Sequence, residues 1–215
     1  ADWRERNHEG QTALDLVGPI ADLKGAPRRL VGLSSEPALP DSGIAVSSMS
    51  MDGTRQESDD PIDEKLIGRS RLDGIPCWRA QDSNMRQWLQ YSFPESMRIV
   101  AFQTLGSSDN NERVVAYNVD MTTDGDWRPY DSGREEALPG NITPYLLQEN
   151  RVRPFTCVRL RISPEAWDEH ISMRADVIGV PVEEFESLTD EQARESLLKS
   201  CEAGAAFIPD QRAGM

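Results

Sequence analysis

The feature that most constrains this chain is a two-residue periodicity. In the run Thr156-Cys157-Val158-Arg159-Leu160-Arg161-Ile162, Cys157 shares a face with Arg159 and Arg161, and Val158, Leu160 and Ile162 share the other. That is the pattern of a strand with one face in a core and one in water. Short β-rich runs recur between Ile44 and Gly179, among them Arg98 to Phe102 and Val114 to Val119. Many short strands separated by polar turns predict a mainly β chain, folded as an antiparallel sandwich.

Composition sets the outer bounds. A chain of 215 residues, 38% apolar and 28% charged, is long enough for one well-buried core with flanking pieces. The longest apolar runs are a few residues, against roughly 20 for a bilayer span. Ala1 to Glu5 offers neither a basic nor an apolar leader region. Position 1 is Ala and not Met, which leaves open a fragment or a processed product of something longer. The formal charge of −14 disfavours nucleic acid and anionic membranes, which are bound by clustered Lys and Arg. Cys77, Cys157 and Cys201 are odd in number and lack metal-ligand spacing, which points to a reducing, intracellular and cytoplasmic setting. Asn141-Ile142-Thr143 fits a glycosylation pattern, but Pro144 follows it and the Pro-Gly-Asn run reads as a turn.

A longer series of phrases identifies the sandwich. Asn84-Met85-Arg86-Gln87-Trp88-Leu89-Gln90-Tyr91-Ser92-Phe93 is preceded by Ile44 to Ser48, Arg71-Leu72-Asp73-Gly74 and Trp78-Arg79-Ala80. It is followed by Tyr117 to Trp127, Pro139-Gly140-Asn141 and Val158 to Pro164. In this order they resemble the discoidin domain, the coagulation factor V/VIII type C domain with a galactose-binding-like fold. The resemblance spans roughly residues 40 to 180 and implies a jelly-roll type β-sandwich with short flanking helices. It also implies framework roles for Trp78, Trp88, Trp127 and Trp167 in core packing. Arg71, Arg159 and Arg174 match framework arginines that pair with carboxylates or carbonyls beneath the ligand end. Ser92 departs from the family, which often has Asp there. Secreted relatives commonly tie the domain ends with a disulfide, whereas no Cys precedes Ile44 and Val180 follows Gly179 here. Some relatives hold a calcium ion at positions matching Asp73 and Asp176, but two acids without a dense oxygen-rich loop fall short of its six to eight ligands.

The flanks divide the chain into residues 1–17, 18–43, 44–180 and 181–215. Ala1 to Val17 resembles an ankyrin repeat entered part-way, with Gly10 in the turn and Thr12 as cap; an unrelated short capped helix is the alternative. Residues 18–43, with Gly18, Pro19, Gly25, Pro27, Pro37, Pro40 and Gly43, read as a linker. Leu188-Thr189-Asp190-Glu191-Gln192 carries a capping signal, and Ala193, Leu197, Leu198 and Cys201 share one face of the helix it predicts. That face is expected to dock on its own sandwich or the linker or, through Leu197 and Leu198, on a partner chain.

No trace of a nucleophile with a base, a metal cluster or a phosphate loop marks an enzyme. His8 and His170 have no second ligand at metal spacing, and pairs such as Asp59-Asp60 and Glu135-Glu136 read as solvated charges. No cofactor is expected. The resemblance places the ligand end on three loops, about residues 49–68, 75–87 and 104–113. Met49 and Met51 could form an apolar tip, but Glu57, Asp59, Asp60, Asp63 and Glu64 follow and argue against a membrane. Arg79, Gln81, Asp82, Asn84, Arg86, Asp109 and Asn110 supply mixed donors and acceptors. The expectation is therefore a non-catalytic binding or scaffold module in an intracellular assembly, with a protein partner; the alternative is a lectin-like, carbohydrate-binding module.

Overall fold

The computed structural model describes residues 27–35, 37–50, 68–75, 77–131 and 136–186. The ankyrin-like stretch, Met51, most of the first loop, and Leu197 and Leu198 lie outside the described residues. In chain order the strands are β1 (Arg28–Arg29), β2 (Ile44–Val46), β3 (Trp78–Arg79), β4 (Leu89–Leu105), β5 (Arg113–Thr122), β6 (Arg128–Pro129), β7 (Leu138–Pro139), β8 (Gln148–Asp168) and β9 (Ser172–Pro181). A one-turn helix, α1 (Val182–Glu186), comes directly after Pro181. The strand order is β1-β9-β4-β8-β5-β6, with β2 on β4, β3 on β9 and β7 on β5, and the pairings are antiparallel.

Two long strands turn this ladder into an antiparallel β-sandwich. The first arm of β4, Leu89 to Ser92, pairs with Ile162 to Arg159 of β8. After a register shift, Met97 pairs with Cys157, and the second arm runs on between β8 and β9. The arms face each other across the core: Tyr91, on the first, donates its hydroxyl to the Ala175 carbonyl of β9, which lies beside Thr104 of the second. Leu89, Tyr91, Phe93, Ile99, Phe102, Tyr117, Leu160, Ile162 and Val177 fill the space between. Phe102 meets the rings of Tyr117, Tyr130 and Phe155 at centroid distances of 6.4, 6.5 and 6.4 Å.

The corner in β8 corrects one reading of the alternating run. Cys157 was expected on the arginine face, yet it is buried in the core with Leu160 and Ile162. The register shift opposite it breaks the two-residue period between Cys157 and Arg159. The tryptophans divide in a similar way. Trp78 is buried and Trp167 packs on the core, but Trp88 and Trp127 lie half-buried outside it, against Arg161. Arg71 donates to the carbonyls of Val31 and Leu39 and to Asp41, and Arg174 donates to those of Gly106 and Leu72. Arg159, expected among these framework pairs, is exposed, and its side chain makes no hydrogen bond or ion pair among the described residues.

The described part of the expected linker belongs to the sandwich. Leu30, Val31 and Leu39 are core residues, and Leu30 N–H donates to the Val177 carbonyl beside the β1–β9 pair. Pro and Gly interrupt regular structure there, but the apolar residues between them still bury, at about 1.5–3 kcal/mol each. A bidentate ion pair from Arg28 to Glu184 fastens α1 over β1.

Candidate ligand-binding end

Both ends of the bent β4 reach one end of the sandwich, where the loops around residues 47–50, 77–88, 106–112, 140–147 and 168–172 meet. The first is held by a turn in the second. Asn84 accepts through Oδ1 from the Arg86 N–H at 2.9 Å and from Gln87 Nε2 at 3.3 Å, which closes the chain over Met85. The buried Gln87 then accepts through Oε1 from the hydroxyls of Ser47 and Ser48 at 2.7 and 2.5 Å. Ser48 also accepts from Trp78 Nε1 through its carbonyl and from the Gln81 N–H through its hydroxyl.

Beneath the rim lies a charged brace. Arg79 donates to Glu112 from both Nε and Nη2, at 2.9 to 3.1 Å, and from Nη1 to the Ser50 hydroxyl at 3.3 Å. Ser172 donates to the same carboxylate at 2.7 Å. Burial by itself would raise the Glu112 carboxyl, but the hydrogen bonds from Arg79 and Ser172, with the charges of Arg79 and His170, outweigh it and hold the group below its ordinary value. Cys77 lies close by; burial pushes its thiol up despite hydrogen bonds to Ser107 and Ser172, so it is a poor nucleophile.

The third loop is a chain of local bonds. Ser107 N–H donates to the Glu112 carbonyl, Asp109 N–H to the Ser107 hydroxyl, and Glu112 N–H to Asn110 Oδ1. A further loop backs it. Gly106 N–H donates to the Pro144 carbonyl, the Tyr145 hydroxyl to the Asn110 carbonyl, and buried Asn141 to the carbonyls of Thr104 and Leu146. Gly106 is required here, because a Cβ would sit 2.7 Å from Pro144 Cα.

The structure sorts the sequence-derived candidates. Asp82, Arg86, Asp109 and Asn110 are exposed at the rim, together with Met85, which is 62% exposed. Gln81 is half-buried. Arg79 and Asn84 hold the loops through their side chains, and Met49 is buried in the core. Met49 turns inward because Ser50 N–H pairs with the Arg79 carbonyl, which fixes that segment along β3. Sequence reasoning passed over Tyr145 and the exposed Ile142 and Leu146, at 78% and 47%. The apolar residues around Pro144, in a run read only as a turn, were the signal available.

Asp73 and Asp176, where the resemblance raised a calcium ion, are engaged with protein donors. Asp73 accepts from the N–H and hydroxyl of Ser34, and Asp176 from the N–H groups of Val31, Gly32 and Val177. Arg29 stands 3.9 Å from Asp176 and its charge also feels Asp73. Among the described residues no group of three or more His, Cys, Asp or Glu is placed to hold a metal ion.

The family model of the F5/8 type C domain matches residues 53–177. Lactadherin of Sus scrofa is 32% identical over 120 residues, which is 51% of this chain and 29% of the relative. Coagulation factor VIII of Homo sapiens is 27% identical over 177 residues, 80% of this chain and 7% of the relative. The chain thus spans less than a third of the length of these curated relatives. Among solved structures, recombinant discoidin II of Dictyostelium discoideum shares the fold, with a TM-score of 0.50 and 20% identity over 65% of this chain and 55% of that one. With more than half its length matched by the family model and an antiparallel sandwich closing over the framework residues, this chain belongs to the F5/8 type C, or discoidin, domain family.

Proposed function

We propose that the chain is a non-catalytic binding module whose loop end docks a protein partner within an intracellular assembly. The observation that carries this reading is the makeup of the rim: Met85, Ile142 and Leu146 stand exposed among Asp82, Arg86, Asp109 and Asn110, above loops fixed by the Arg79–Glu112–Ser172 brace. Apolar side chains interspersed with both signs of charge on a rigid base suit another protein surface. The buried free thiols of Cys77 and Cys157 support a reducing compartment.

Carbohydrate is the second reading, favoured by Tyr145 beside Asn110, where a ring and amides could meet a sugar. The experiment is affinity capture on the full chain, run beside a glycan array, with wild type, Met85→Asp plus Arg86→Glu, Tyr145→Ala, and Leu197→Asp plus Leu198→Asp. Capture of a protein that the rim variant loses by about tenfold, with an unchanged melting temperature, is the expected result. Glycan binding abolished by Tyr145→Ala would move the conclusion to sugar. A captured partner indifferent to the rim variant would remove the loop end from the account.

A further inference from the structure

On the outer face of the sheet, where the second loop runs into β4, Arg161 of β8 lies against two indoles. Its Cζ lies 4.4 Å from the Trp88 ring centroid and 4.2 Å from that of Trp127. Such contacts attract a cation to each π face. Its Nε donates to Gln90 Oε1 at 2.8 Å. With two ring contacts at Cζ and its Nε engaged, the guanidinium is left with its two Nη groups, which meet no acceptor among the described residues. Asp120, its register partner on β5, makes no ion pair with it among the described residues. Arg159, two residues away on the same face of β8, is exposed and likewise has no partner there.

This arrangement selects the chemistry of a ligand. A guanidinium held by ring contacts and by its Nε bond offers its two Nη groups, and a carboxylate matches that edge with two parallel hydrogen bonds. These contacts also fix the arginine beforehand, so little rotamer freedom is lost on binding. Arg159 and Arg161 lie roughly 7 Å apart along the strand, the spacing of alternate side chains in an extended chain. We propose that this face is a second binding surface, separate from the loop rim, for an extended acidic segment of a partner protein whose alternate carboxylates meet Arg161 and Arg159. Two arginines do not make the broad basic field that nucleic acid or an anionic membrane requires against a net charge of −14. A short acidic segment feels that net charge only weakly at 0.1 M salt, where screening acts within about 10 Å, while the contact itself is at hydrogen-bond range.

Fluorescence anisotropy with the full chain tests this, using a labelled peptide with Glu at every second position and a comparator with Gln in those places. The Glu peptide should bind at least about tenfold more tightly than the Gln peptide, and Arg161→Gln plus Arg159→Gln should remove that difference. Arg161→Lys keeps the charge but not the fork, and should weaken binding several-fold with the melting temperature retained. The loop-end variant Arg86→Glu should leave binding unchanged, so this surface and the rim fail or stand separately. Equal binding of the two peptides, full binding by the double variant, or loss on Arg86→Glu would each overturn the proposal.

Discussion

At Asp176, three backbone N–H groups and a nearby guanidinium meet one carboxylate that has no solvent contact. Burial wins over these partners and raises the carboxyl from 3.8 to about 6. The folded state therefore holds this proton where the unfolded chain has lost it. The group's contribution to stability is greatest below about pH 4, falls as pH rises, and levels off above about 6, by an amount on the order of 3 kcal/mol. Asp176→Asn removes the titration and turns an amide donor toward Gly32 and Arg29, so the variant is less stable. Its deficit should narrow by about 2 kcal/mol between pH 4.5 and 7.5 in urea unfolding. A deficit that stays constant or widens would contradict the assignment. None of this is legible in sequence, because Asp176 acquires its partners from a segment more than 140 positions away. The role of Arg79 is hidden for the same reason: residue type marks a donor, but only the fold brings Glu112 beneath it.

The strands are easier to locate from sequence than their limits are. Alternation and β-branched runs mark β4, β5 and β8, since each must bury one face. The corners of β4 and β8 leave no such mark, and the placement of Cys157 depends on them. β1 is hidden because two arginines and a Pro-rich sequence show no period at all. Its contribution lies in the residues it leads into the core, Leu30, Val31 and Leu39, whose backbone is bonded to the Val177 carbonyl, Arg71 and Asp176. A chain begun at Ile44 forfeits burial worth about 5–8 kcal/mol, comparable to the whole stability of a domain. It should be digested by a protease that leaves a chain begun at Gly25 intact. Equal resistance of the two would show that the segment is an ornament on a self-sufficient sandwich.

For the whole molecule, the family is readable because framework residues must recur wherever this sandwich packs, while the ligand is not, because rim loops owe their shape to local bonds such as Asn84 to Arg86 that many sequences can make. Charge belongs to this scale as well. A formal charge of −14 opposes compaction through the summed repulsion of many distant groups, whereas pairs such as Arg28–Glu184, Arg79–Glu112 and Arg113–Asp168 act at contact. Salt acts unequally on the two. Raising ionic strength from about 0.01 to 0.15 M shortens the screening length from roughly 30 to 8 Å, which removes most of the long-range repulsion and little of the contact attraction. Partly exposed pairs contribute only about 0–1 kcal/mol each in any case. The melting temperature should therefore rise by about 2–4 °C across that range at pH 7.5, corresponding to on the order of 1 kcal/mol. A fall would mean that the ion pairs outweigh the net charge, and would single out the Arg79–Glu112 brace, the least solvated of the three, as the place to look first.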